Sequence, residues 1–194
     1  MIKFLLKNKQ TNEIIGEADS KSSFNNVNIG FETIIESIDD PIILNINGKK
    51  YKNTEVPLTE YKNYIIGIID KITNSLIISG FDYNINNETL HFSYQSDDQQ
   101  NFSDTFNAIA MKLMMGVQDI PETVDWNGWR NHTNEYKGEL VVLPLNPELF
   151  IELYMKGALQ HKSVCLELGK YRKQLIETAQ TIEEINTLLL SWGI

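Results

Sequence analysis

The spacing of apolar residues changes near Pro57. Before it they alternate: Ile2, Phe4 and Leu6 occupy every second position, as in a half-buried strand. Glu13-Ile14-Ile15-Gly16-Glu17 is the expected hairpin partner of that strand. A second hairpin is expected from Ile42 to Ile46, through Asn47-Gly48, and back along Lys49 to Tyr51, because Asn-Gly accepts the positive φ angles of a type I′ turn. Ser20 to Ile29 reads as a Ser/Asn-rich loop. Phe31 to Ile38 fits a strand or a short helix and is read as strand.

After Pro57 the period lengthens. Tyr61, Tyr64, Ile65, Ile68, Ile69, Ile72 and Leu76 fall at steps of three and four, one apolar face of an amphipathic helix. Ser79-Gly80 supplies its stop. Phe81 and Tyr83, a turn at Asn86-Asn87, and Leu90, Phe92 and Tyr94 on the return make a short hairpin. Ser96 with Gln99 fits a capping box, with Asp97 and Asp98 where the helix dipole favours negative charge. Phe102, Phe106, Ile109, Leu113 and Val117 then mark the buried side of a second helix. Val124-Asp125-Trp126, Asn127-Gly128 and Trp129 read as another hairpin or tight turn, and Glu139 to Leu143 as a strand ended by Pro144. Asn146-Pro147 opens a helix that runs to Ala179, and Thr181 with Glu184 caps a short terminal one. The fold class is α+β: a small N-terminal β-rich attachment module, residues 1–57, then a helix–hairpin–helix–β–long helix domain, residues 58–194.

A helix from Pro147 to Ala179 is about 33 residues and roughly 50 Å long. A compact domain of this chain length is only about 40 Å across. The helix is therefore expected to break at Gly157 or Gly169, to protrude, or to pair with another chain. From Leu149 to Leu159 only Glu152 and Lys156 interrupt an apolar surface, whereas Ser163, Glu167, Lys170, Gln174 and Glu177 mark a solvated face further on. That contrast makes Phe150, Leu153 and Tyr154, in the first half, candidate partner-binding residues.

Composition narrows the function classes. The chain has 194 residues, 42% of them hydrophobic and 22% charged, which suits a globular protein with a real core. A formal charge of −9 argues against nucleic acid and against an anionic membrane surface, since both need clustered Lys and Arg. A single cysteine, Cys165, rules out an intramolecular disulfide framework. The first residues lack the pattern of a signal peptide, and no stretch approaches the about eighteen apolar residues of a membrane span. Synthesis in the cytoplasm without Sec-type export is expected.

Candidate chemistry adds little. His91, His132 and His161 are not at metal-ligand spacing, so no metal and no cofactor is expected. His91 is expected to face outward on the hairpin, His132 to sit in a polar loop, and His161 to be a hydrogen-bonded core residue. Cys165, between Val164 and Leu166, reads as an inert buried thiol. No serine has a Gly-x-Ser-x-Gly setting and no Gly-rich loop leads into a Lys-Ser/Thr helix, so no catalytic residue is assigned. Asp39-Asp40, Asp97-Asp98 and Glu183-Glu184 read as a turn, a cap and a first helical turn. Trp126 and Trp129, on either side of Asn127-Gly128, either present an indole to a partner or a sugar or pack at least one ring in the core.

The C-terminal two-thirds resembles a known domain. A helix ending Ile72-Thr73-Asn74-Ser75-Leu76-Ile77-Ile78-Ser79-Gly80-Phe81-Asp82-Tyr83 is followed by Leu90-His91-Phe92-Ser93 and Asp98-Gln99-Gln100-Asn101-Phe102. Val124-Asp125-Trp126, Leu143, Phe150 and Thr181-Ile182-Glu183-Glu184-Ile185 come later. Over about residues 58–190 this is similar to an uncharacterised domain that recurs in tailed-phage and prophage proteins encoded near tail-fibre genes. The shared positions are turns, caps and core, and they bring no catalytic residues. The resemblance implies a non-enzymatic virion or tail-apparatus structural protein at the tail fibre or baseplate. Its expected partners are other phage tail or fibre proteins, or further copies of itself in a symmetric assembly. A tail-fibre assembly chaperone is the alternative, and a glycan-acting enzyme the third reading.

Overall fold

The structure is a computed structural model that describes residues 3–18, 20–24, 27, 30–37, 43–46, 48–52, 55–116, 121–133 and 135–194. It is α+β, with two antiparallel sheets and helices that follow the N-terminal strands. Contacts divide it into two compact units, one of residues 1–69 and 172–194, the other of residues 70–171. The division falls inside two helices and not at the expected boundary at Pro57.

The first unit holds a five-stranded sheet in the order β3-β1-β2-β5-β4. Its strands are β1 (Lys3–Asn8), β2 (Ile14–Ala18), β3 (Glu32–Ser37), β4 (Ile43–Ile46) and β5 (Lys49–Lys52). The segment read as strand from Phe31 is strand over Glu32–Ser37, with Ile38 outside the described residues, and the β4–β5 hairpin forms with Gly48 at φ +83°. Ile2, Asp39, Asp40, Ile42 and Asn47 lie outside the described residues. The helix predicted after Pro57 is α1 (Leu58–Ile78). Its Tyr61, Ile65 and Ile69 are buried with Ile46 and Tyr51 of the sheet. Ile176, Ala179 and Ile185 complete that core, so the last helix, α5 (Ile182–Trp192), belongs with the N-terminal strands. Thr181 caps α5 by accepting from Glu184 N–H at 3.1 Å, as predicted. Inside the same core Tyr61 Oη donates to Asn186 Oδ1 at 2.6 Å.

The second unit is built on a four-stranded sheet, β6-β7-β8-β9. β6 (Phe81–Ile85) and β7 (Glu88–Phe92) form the predicted hairpin, with Asn86 and Asn87 at φ 54° and 65°. The end of α1 leads into it through Gly80 at φ +90°, where any added Cβ would also sit 2.7 Å from His91 Nε2. α2 (Ser96–Met114) begins one residue earlier in its cap than predicted. Gln95, not Ser96, is the N-cap, and its N–H donates to Asp98 Oδ2 at 3.0 Å while Ser93 Oγ donates to the same oxygen at 2.5 Å. Phe102 and Ile109 are buried as expected, but Leu113 is 54% exposed, because the core contact of α2 ends at Ile109 and its last turn projects past it. Val117 lies outside the described residues.

Two further expectations are corrected here. Asn127-Gly128 is not a turn: β8 (Val124–Arg130) runs straight through it and pairs with β9 (Glu139–Leu145) at seven successive positions. Gly128 is closely covered instead, since a Cβ there would lie 3.3 Å from the ring of Phe92, which would have to give by a few tenths of an ångström. Nor does Pro144 end β9, which continues to Leu145 with Pro144 opposite Asp125. β9 is an edge strand, where a residue without an N–H is tolerated.

The long helix exists as three segments in sequence: α3 (Pro147–Glu152), a π-helical stretch Leu153–Leu159, and α4 (Gln160–Thr178). Asn146 caps it by accepting from Leu149 N–H at 2.9 Å, with Pro147 at the first position. The expected irregularity at Gly157 is therefore a π stretch and not a break. Among the described residues no helix is long and apolar enough to cross a membrane.

Candidate functional site

Within the second unit, β8 is paired on its two sides very unequally. It pairs with β9 along its whole length but with β7 only at His91 opposite Trp129, beyond which Arg130 holds β7 through a bidentate contact with Glu88. After Phe92 the chain leaves the sheet to start α2, so one edge of β8 opens onto a gap. That gap is a cavity of about 330 Å³. Its α2 wall carries Asp98, Asn101 and Thr105, and its β8 wall carries Asp125, Trp126, Asn127 and Trp129. Asp98 already accepts from Gln95 and Ser93. Among the described residues the side chains of Asn101, Thr105, Asp125 and Asn127 have no hydrogen-bond partner.

A second cavity of about 240 Å³ shares Ser93 and Trp129 with the first and is also lined by Ser79, His91, His132 and Lys137. The two-residue turn of the β6–β7 hairpin places Asp82 opposite His91. His91 Nδ1 lies 2.8 Å from Asp82 Oδ1 and Nε2 lies 3.0 Å from the Ser79 carbonyl oxygen. Both ring nitrogens thus face oxygen atoms, which fixes the orientation of the ring. His132 stacks on that ring, centroid to centroid 3.6 Å at an angle of 6°. Burial holds the His132 pKa below the ordinary imidazole value, and the neighbouring His91 pushes the same way against a weaker opposing pull from Asp82. Lys137 Nζ sits 5.0 Å from the centre of the Trp129 ring, a cation–π contact that helps hold the indole in place.

The candidate contact residues separate. Trp126 packs into the core, 4.3 Å from Phe102 and 5.1 Å from Phe150 between ring centres. Trp129 faces the opposite side of the sheet and borders both cavities. Phe150 and Leu153 are both 0% exposed, so they hold the unit together and are not available to a partner. Tyr154 is half-buried, its ring stacked 5.8 Å from Phe102 and tilted 5.1 Å from Phe106. The first half of the long helix is core on the side where these residues lie. Apolar exposure in the first half is limited to Met155, whereas α4 exposes Val164, Leu168 and Tyr171 on one side and Leu166 on the other.

His161 is the hydrogen-bonded residue expected: its Nε2 lies 3.1 Å from the Leu76 carbonyl oxygen and its ring 5.8 Å from Phe81. Cys165 is 8% exposed, and burial pushes its thiol pKa up. Among the described residues no group of three His, Cys, Asp or Glu side chains converges as a metal site. Sequence reasoning missed the His91–Asp82 pair, although the hairpin register alone predicts it. It also missed Asn101, Thr105, Asp125 and Asn127, which are brought together only by the divergence of β7 from β8. No protein-family model matches the chain, and no curated protein and no solved structure was found to match it either.

Proposed function

We propose that this chain is a non-enzymatic structural protein of a bacteriophage virion, part of the tail fibre or baseplate, that works through protein–protein contacts. The phage context rests on the resemblance over residues 58–190. The contact role rests on one observation, an apolar stripe on α4. Val164, Leu168 and Tyr171 are 56%, 38% and 57% exposed. At 3.6 residues per turn they fall within an arc of about 60°, a seam of the kind that helix–helix association covers. A lone exposed leucine needs no explanation, but three large apolar side chains in register on one helix do.

Mass spectrometry of purified particles tests the assignment, with stoichiometric copies as the expected result. Absence from particles together with copurification on a fibre protein would overturn it in favour of the assembly chaperone. Sedimentation separates out the contact role: wild type is expected to self-associate and Leu168→Asp to sediment as a monomer. A wild type that stays monomeric at high concentration refutes self-association through α4.

A further inference from the structure

We infer that the cavity between α2 and β8 binds a neutral sugar, a pyranose whose hydroxyls pair with Asn101, Thr105, Asp125 and Asn127 and whose ring lies against Trp129. This goes beyond the contact role and does not depend on it. The opening is structural in origin, because β7 ends at Phe92 and leaves the edge of β8 at residues 124–127 without a ladder partner on that side among the described residues. The gap carries four polar side chains with no partner among the described residues; Asn101, Asp125 and Asn127 are exposed and Thr105 is half-buried, so their hydrogen-bonding groups face solvent and are open to a ligand. Its volume of about 330 Å³ lies at the small end of the ~300–1,000 Å³ of small-molecule sites. One or two sugar rings suit that space.

The chemistry of the walls selects the class of ligand. The carboxylates of Asp98 and Asp125 line the cavity and no Lys or Arg does, so an anion is disfavoured there. A simple ammonium ion would satisfy the carboxylates but not the donor N–H groups of Asn101 and Asn127. Ammonium cages also rely on several ring faces, and here Trp126 is held against Phe102 and Phe150, which leaves Trp129 as the single platform. A hydroxyl donates and accepts at once, so it matches amide and carboxylate alike. The C–H face of a pyranose complements an indole whose position is already held by Lys137.

Saturation-transfer NMR on the full chain tests this with glucose, galactose, mannose and N-acetylglucosamine as probes. Glucuronate and glucosamine serve as the charged controls. At least one neutral sugar is expected to give saturable transfer, and glucuronate to bind at least about tenfold more weakly. Asn127→Ala, at an exposed position, and Trp129→Ala are each expected to weaken binding by about tenfold or more. Circular dichroism checks that both variants fold, and Asn127→Ala keeps the test decisive if Trp129→Ala does not. No transfer from any neutral sugar overturns the assignment. So does transfer that Asn127→Ala leaves unchanged, or a preference for either charged control.

Discussion

Replacing a glycine by alanine should have opposite signs at two helical positions of this chain, and the contrast tests how the long helix packs. In a helix interior alanine is favoured over glycine by about 1 kcal/mol. At Gly67, within α1, an added Cβ meets nothing within 4 Å. Gly67→Ala should therefore gain roughly 0.5–1 kcal/mol. At Gly157, in the π stretch, the same Cβ would lie 2.5 Å from Phe81 Cε2. Carbon pairs settle at about 3.5–4.0 Å, so ring or helix must move by about 1 Å. The ring is boxed in, with Phe92, Tyr94, Phe102 and His161 at 5.6, 5.9, 6.1 and 5.8 Å between ring centres. Overpacking costs about 1–3 kcal/mol, and a displacement of about 1 Å against a ring with no room to yield belongs in the upper half of that range. After the propensity gain of about 1 kcal/mol, a net loss of about 1–2 kcal/mol remains. Urea denaturation reads both variants, and comparing circular dichroism with tryptophan fluorescence tests for two-state behaviour in a chain of two units. The midpoint should rise for Gly67→Ala and fall for Gly157→Ala at unchanged slope. Adding Phe81→Leu to Gly157→Ala should recover part of the loss, because the two sites share one contact. A Gly157→Ala midpoint at or above wild type would show that the helix does not approach Phe81 as described.

Two other predictions concern titratable groups. The His132 pKa is held below the ordinary value of 6.5, so the unfolded chain takes up a proton first and stability falls as pH drops from about 7 toward 5. His132→Asn should flatten that part of the profile, and parallel profiles for variant and wild type would exclude the stacked histidines as its source. Cys165 should react with a thiol–disulfide reagent far more slowly in the native protein than in denaturant, given its burial and raised pKa. Labelling of the native chain at the rate of a free thiol would contradict the placement of that helix face.

Periodicity and punctuation made much of the chain legible. α1, the β6–β7 hairpin, the Asn146 and Thr181 caps, the hydrogen-bonded His161 and the buried Cys165 all follow from patterns a few residues long. The pairing of Asp82 with His91 was implicit too, because a two-residue turn at Asn86-Asn87 fixes which residues face each other. Errors arose where a local signal met a distant partner. Asn127-Gly128 has the chemistry of a turn, yet seven pairings with β9 and the nearby Phe92 ring keep it in a strand. Pro144 looks like a strand end but lies on a sheet edge, where its missing N–H is tolerated. Phe150 and Leu153 lie on a helix face that pattern alone could assign to a partner, and the sheet core covers both.

Local sequence thus determined which segments are helix or strand and where most of them stop, because caps, turns and apolar periods act within a few residues. Tertiary structure alone decided that α5 shares a core with the N-terminal strands, that α4 and not the start of the long helix exposes an apolar stripe, and that a polar cavity opens beside Trp129. Those outcomes depend on which distant surfaces meet. That choice is made by packing and steric fit among residues far apart in the chain, and no short window of sequence contains both sides of such a contact.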